Sequence, residues 1–216
     1  MMRSLGTVLV LSPHTDDAEL GGGGVISKLL EEGTELYWAV FSIAEDSVPD
    51  GMPKDTLKKE FLEVAKSVEI KETNLFVGNI RVRRFDEKRQ DILEKLVEYR
   101  NEIQPDLVVA PSTLDQHQDH QVVARETVRA FKNYCSIIGY EMPWNMLSAR
   151  LNLFVSLEER HIKMKWEMLK NYHSQIEGKK RGYFSENFIF GLARVRGVQC
   201  NSEYAEAFEV VRWIKT

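Results

Sequence analysis

Apolar residues in this chain fall into two kinds of run that take turns along its length. Thr7 to Leu11 is aliphatic and β-branched without a polar break and stops at Ser12 and Pro13, as a strand covered on both faces does. From Glu19 onward, Val25, Ile26, Leu29 and Leu30 recur at helical spacing until Gly33, so a helix is predicted there. Leu36 to Phe41 predicts a second strand. Leu57, Phe61, Val64, Ala65 and Val68 then predict a helix over 55–69, and Asn74 to Val77 a short third strand. Phe85 to Ile103 carries the stripe Ile92, Leu93, Leu96, Val97 and Tyr99 of a long helix. Pro105 and Asp106 turn the chain into the strand Leu107 to Ala110, and a helix from Asp119 to about Tyr134 follows.

This alternation through residue 140 predicts an α/β fold, a Rossmann-like, doubly wound and mostly parallel sheet with helices on both faces. The remainder is less regular: Leu151 to Ser156 reads as a strand, Leu157 to Asn171 and Asn187 to Arg196 as helices. No internal repeat, low-complexity tract or Pro/Gly/Ser-rich linker divides residues 1–216, so one domain is expected, with a length adequate for a substantial core.

Composition narrows the function classes. Apolar residues at 43% and charged residues at 29% are ordinary for a soluble globular protein, and a net charge of -4 argues against a nucleic-acid partner. No stretch approaches the roughly 20 apolar residues of a membrane span, so no integral membrane segment is expected. Cys135 and Cys200 match no zinc-finger or redox spacing, and a reducing cytoplasm is the simpler setting. Whether copies assemble into a homo-oligomer is left open.

Chemistry concentrates in two loops. In an open parallel sheet, ligands bind where the loops at the carboxyl ends of the strands converge. The loop after the first strand holds His14, Asp16, Asp17 and Glu19; the loop after the Leu107 strand holds Asp115, His117, Asp119 and His120. Three of the five histidines are therefore in these two loops. His14 and Asp17 from one and His120 from the other make a His-Asp-His set, the donor types and number that a catalytic zinc site uses while keeping a position open. An Asp-Asp pair opening a helix is also a common N-cap, and that reading stands beside the metal one. The glycines Gly21 to Gly24 fail the dinucleotide fingerprint, because position 26 is Ile26, and no Lys-Ser or Lys-Thr pair makes a phosphate loop. A steric role against the sheet is expected of them. His161, on a predicted helix, is expected at the surface or its boundary.

The two loops make the chain resemble the PIG-L/LmbE-like family of zinc-dependent de-N-acetylases. Pro13, His14, Thr15, Asp16, Asp17, Ala18 and Glu19 stand where that family usually has Pro/Ala-His-Pro-Asp-Asp-Glu, and His117, Gln118, Asp119 and His120 match its His-x-Asp-His. Thr15 and Ala18 depart from the pattern, the glutamate being shifted to Glu19. Tyr172 to Gln175 and Ala205 to Phe208 extend the likeness. The resemblance implies His14, Asp17 and His120 as ligands of Zn2+, with other divalent transition metals able to take the same donors. It implies Asp16 as general base and His117 as the group facing the developing oxyanion, with Asp119 orienting a ring. The implied reaction is hydrolysis of the acetamide of an N-acetylated sugar, a small-molecule substrate, with release of acetate and a free amino sugar. Arg84, from the cluster Arg81, Arg83 and Arg84, and Ser42 after the second strand are the expected substrate-binding residues. A noncatalytic metal-containing protein and a Rossmann-type nucleotide-binding enzyme are the competing function classes.

Overall fold

The structure, a computed structural model, describes residues 6–214. Among these residues seven strands form one sheet in the order β3-β2-β1-β4-β5-β7-β6. They are β1 (Thr7–Ser12), β2 (Glu35–Val40), β3 (Leu75–Val77), β4 (Leu107–Pro111), β5 (Ser136–Tyr140), β6 (Leu153–Leu157) and β7 (Tyr204–Arg212). Strands β1 to β5 pair in parallel, and β7 runs antiparallel to both β5 and β6. The mostly parallel α/β architecture expected from the sequence is thus present, with one reversed strand.

Among the described residues six α-helices cover the sheet: α1 (Asp17–Glu31), α2 (Thr56–Ser67), α3 (Arg89–Ile103), α4 (Gln118–Phe131), α5 (Glu159–Lys170) and α6 (Glu186–Gln199). Successive strand residues point to opposite faces, so β1 sends Val8 and Val10 into one core and Leu9 and Leu11 into the other. The first core is closed by α1, α2, α5 and α6, the second by α3 and α4. Burial on both faces is why β1 and β4 read as unbroken apolar runs.

Two strands lie outside the elements that the apolar pattern predicts, β5 and β7. In β7 the buried Glu206 and Glu209 interrupt the run, and each is satisfied by a distant element. Glu209 takes hydrogen bonds from the Ser112 and Thr113 hydroxyls and the Thr113 N–H. Glu206 mends a break in α1. At Gly22 (φ -152, ψ 20) that helix leaves helical geometry, and the N–H groups of Gly24 and Val25 fall to the Glu206 carboxylate at 3.0 and 2.7 Å. Lys165 of α5 pairs with Glu206 at 2.7 Å and donates to the Leu20 carbonyl at 2.8 Å. A buried ion pair therefore supplies both missing partners of the kinked helix, which satisfies polar groups that would otherwise be buried unpaired.

The glycine run has the steric role expected of it. A Cβ at Gly21 would lie 2.3 Å from Cδ2 of Tyr140, a ring with no solvent exposure whose hydroxyl is tied to the Leu11 carbonyl. The ring cannot swing aside without losing that bond. Gly21→Ala is expected to destabilise the fold by about 1–3 kcal/mol through overpacking, read as a lower urea midpoint. An unchanged midpoint would mean that α1 can shift away from β5.

Candidate metal centre and active site

The sheet order reverses between β1 and β4, and the loops that follow these two strands carry the metal-ligand candidates. Loops diverge to opposite faces at such a reversal and leave a crevice between them. There His14 Nδ1 lies 3.1 Å from Asp17 Oδ2, His120 Nε2 lies 3.1 Å from the same oxygen, and the two nitrogens are 3.4 Å apart. A tetrahedral zinc with arms of about 2.0–2.1 Å would separate its ligand atoms by about 3.3 Å, so the triangle has the size such an ion needs.

The far side of each imidazole explains which lone pairs face inward. His14 Nε2 lies 2.9 Å from Asp119 Oδ2, and His120 Nδ1 lies 2.8 Å from Asp115 Oδ2. Each carboxylate accepts the outer N–H, which leaves the inner nitrogen as an acceptor aimed at Asp17. Three acceptors at 3.1–3.4 Å hold together only around shared positive charge. Proton affinity reports the same demand. Burial lowers the pKa of His14, but Asp17 and the hydrogen bond to Asp119 outweigh it and raise it to about 9. Burial likewise opposes, and Asp17 and Asp115 overcome, a rise of His120 to about 10. Asp17, though buried, is held well below the usual carboxylate range by the charges of His120 and His14. His14, Asp17 and His120 thus form a group that could hold a metal ion, and their donor set fits one.

Asp16 occupies the N-cap position of α1 yet makes no side-chain cap hydrogen bond. Its carboxylate is not spent on the helix end and lines the cavity beside the three ligand candidates. Burial and the adjacent Asp17 push its pKa up to about 6. The N-cap of α4 is His117, whose Nδ1 accepts the Asp119 N–H at 3.2 Å. Burial and the charges of His120 and His14 push His117 down to about 4, so the ring is neutral and carries its proton on Nε2. His117 thus offers the cavity a neutral N–H donor, not an imidazolium.

The loop between these residues is pinned from below. The Tyr172 hydroxyl is 2.5 Å from the Thr15 carbonyl and 2.6 Å from Glu19 Oε1. A hydroxyl has one proton to give. Burial raises Glu19 well above the usual carboxylate range, so its carboxyl keeps a proton and supplies the second bond. Tyr172 and Glu19 thereby fix the backbone between His14 and Asp16.

The cavity over the triangle measures about 180 Å3, and segments after five parallel strands contribute to its wall. Besides His14, Asp16, Asp17, His117 and His120, it is lined by Ser47, Asn145, Gln175 and Arg181, with Trp144 and Tyr183 at the rim. Arg84 and Ser42 are not brought there. Arg84 pairs with Glu87 and faces a separate groove of about 1070 Å3 between the β3 edge and α3. Its direction follows from the turn at Arg83, which has φ 65 and gives its N–H to Asp119. Ser42 is buried, and its hydroxyl accepts the Ala44 N–H, shaping the loop rather than meeting a ligand. The larger groove holds no cluster like the one at the smaller cavity, so chemistry and not volume marks the site. His161 is also corrected. It is 3% exposed, closes a capping box with Glu158 and meets Glu31 at 2.7 Å, and it is not among the residues lining the cavity.

Asp115 was visible in the second loop but carried no signal of its role, since the histidine it supports is a helical turn away. Arg181, Trp144 and Tyr183 come from irregular segments with no motif. Asp115 also accepts the His117 N–H at 2.7 Å and a bond from Asn145 Nδ2. Asp115→Asn can present an amide donor to His120 and favour the tautomer with its proton turned inward. Metal affinity is expected to fall about 10–100-fold with the fold intact, measured by equilibrium dialysis. Wild-type affinity would mean that the outer bond does not set the tautomer.

The chain is similar to known proteins in both sequence and fold. The family model described as PIG-L, GlcNAc-PI de-N-acetylase, matches residues 9–131, which contain both loops. YaiS of Escherichia coli strain K12, an uncharacterized deacetylase, is 25% identical over 171 residues, 77% of this chain and 90% of YaiS. The N,N'-diacetylchitobiose deacetylase of Pyrococcus horikoshii, solved with its inhibitor MPG, superposes with a TM-score of 0.77 over 96% of this chain and 84% of its own at 20% identity. GalB, the 4-carboxy-2-hydroxymuconate hydratase of Pseudomonas putida KT2440, superposes with a TM-score of 0.76 over 98% of both chains at 18% identity. At such identities the likeness is one of fold, and this fold houses both a deacetylase and a hydratase.

Proposed function

We propose, on the premise that the chain belongs to the PIG-L family of GlcNAc-PI de-N-acetylases, that it hydrolyses the acetamide of an N-acetylated sugar with a zinc ion held by His14, Asp17 and His120. The observation that carries this reading is an uncommitted carboxylate, Asp16, beside a triangle of ligand atoms matched to zinc. A metal bound there supplies a Lewis acid that polarises the amide carbonyl and makes water more acidic.

The chain's own groups do the rest. Asp16 accepts a proton from the water that adds to the amide carbonyl carbon, and His117 donates its Nε2–H to the oxygen on which negative charge grows. When the C–N bond breaks, the amine leaves with a proton, acetate is the acyl product, and the water has been consumed. Asp16, having just gained a proton, returns it to the amine. Asp119 and Asp115 keep the two ligand imidazoles turned to the centre throughout.

The test is acetate release from a panel of N-acetylglucosamine derivatives by the purified protein, with and without chelator and with zinc, cobalt or manganese restored. Chelator-sensitive release is expected. If acetate is absent while the protein binds one metal per chain and hydrates an unsaturated carboxylic acid, the deacetylase reading fails and the chemistry of the hydratase neighbour takes its place.

A further inference from the structure

The cavity above the triangle is too small for a whole conjugate. Ligand pockets that bury most of a drug-sized molecule measure roughly 300–1,000 Å3, whereas this one is about 180 Å3. On the deacetylase reading the acetamide end of the sugar occupies it, and the remainder of a conjugate crosses the rim.

The rim has two distinctive features. Trp144 and Tyr183 stack with ring centroids 4.1 Å apart and planes at 5°, and Phe188 meets Trp144 edge-on at 5.7 Å. Trp144 remains 36% exposed, so a flat aromatic unit braced from behind borders the opening. The guanidinium of Arg181 lies 5.8 Å from the Tyr183 ring and reaches the cavity wall. Arg81 and Arg84 are each paired with an acid, Asp46 and Glu87, but among the described residues Arg181 forms no ion pair. Asp17, a carboxylate of the same cavity, already serves His14 and His120.

We propose that Arg181, braced by the Trp144–Tyr183 stack, forms a specificity-determining subsite for an anionic substituent, phosphate or carboxylate, on the sugar whose acetamide enters the cavity. The inference rests on the deacetylase reading for the sugar and on the rim alone for the anion. A guanidinium presents parallel N–H donors that match both oxyanions, and its contact with an aromatic ring restricts the side chain before the ligand arrives. Substrates with a negative group outside the cavity are thus selected over neutral ones. A competing task for Arg181 is to offset the charge of Asp16, whose carboxyl it shifts toward ionisation. The two tasks separate by experiment, because charge balance acts on every substrate alike.

The experiment compares kcat and KM for the methyl glycoside of N-acetylglucosamine, its 1-phosphate, its 6-phosphate and its carboxymethyl glycoside, in wild type, Arg181→Lys and Arg181→Gln. Wild type is expected to prefer at least one anionic substrate about tenfold or more in kcat/KM. The phosphate and carboxylate arms identify which anion is selected. Arg181→Gln is expected to abolish that preference through KM, with Arg181→Lys intermediate. No preference in wild type, or an equal fall of kcat on neutral and anionic substrates in Arg181→Gln, overturns the proposal. If nothing is deacetylated, calorimetry with glucosamine and glucosamine 6-phosphate still decides. Preference for the phosphate that is lost in Arg181→Gln upholds the subsite while the deacetylase reading falls, and equal binding by wild type sinks the subsite.

Discussion

Asp16→Asn is expected to keep its metal and lose about 10²–10⁴-fold in kcat for deacetylation, the range that a positioned general base contributes. The amide fills the same volume but cannot accept a proton from water or return one to the leaving amine. Metal content is expected to stay at the wild-type level because Asp16 is not among the three groups whose atoms converge at 3.1–3.4 Å. Folding should also be unaffected, since the side chain makes no cap hydrogen bond for α1 to lose. Activity within a few-fold of wild type would remove Asp16 from the mechanism. Loss of metal along with activity would instead make it a ligand.

Asp17→Asn is expected to abolish activity together with metal binding, a fall in affinity of more than about 100-fold, beyond that of a residue which only orients a ligand. Asp17 Oδ2 is the corner shared by both histidines and also accepts the His14 N–H at 2.7 Å, so its charge and its position serve the same centre. An asparagine oxygen can keep the backbone bond, which makes the change a test of charge rather than of loop shape. Thermal unfolding gives a readout independent of catalysis. Metal at 1,000 times its dissociation constant adds about 4 kcal/mol to wild-type stability, which for a chain of this size corresponds to about 8–16 °C in Tm. Asp17→Asn should show no such shift under the same conditions. An equal shift in both proteins would move the metal to the other converging group, His14, His117 and Asp119.

The two variants bracket the site from its sequence neighbours. Asp16 and Asp17 are adjacent, identical in type and both close to the start of α1, yet one carboxylate turns to two imidazoles and the other to the cavity. Their environments push their pKa values in opposite directions, Asp16 up and Asp17 down, a separation that suits one carboxylate to proton transfer and the other to a cation.

The neighbours in the fold sharpen what these experiments must decide. A deacetylase and a hydratase share the architecture over nearly its full length. The fold therefore does not separate the two, and the groups lining the cavity, among them His117, Gln175, Trp144, Arg181 and Tyr183, are where the experiments must look.

Much of this molecule is written locally in its sequence. Buried parallel strands must be apolar on both faces, so β1, β2 and β4 announce themselves, and α2 and α3 show their stripes because each covers one side of the sheet. The donors of the candidate metal site were legible for a similar reason: His14, Asp17 and His120 stand in loops at the ends of recognisable strands, and the resemblance placed them together. The strand β7 was not legible. Its Glu206 and Glu209 contradict a buried run until a kinked helix and the Ser112–Thr113 turn arrive to satisfy them. Arg84 and Ser42 were legible as polar residues near the right sheet edge, but the φ 65 turn at Arg83 and the Ala44 N–H sent their side chains elsewhere. Asp115, Arg181, Trp144 and Tyr183 gain their places only when segments far apart in the chain meet. By itself, the sequence determined which elements form and which donor types gather at the β1 and β4 ends, since periodicity and residue chemistry are local properties. Tertiary structure decided which atoms face one another, because direction depends on backbone turns and on packing partners far away in the chain, as Glu206 and Gly24 are at a separation of 182.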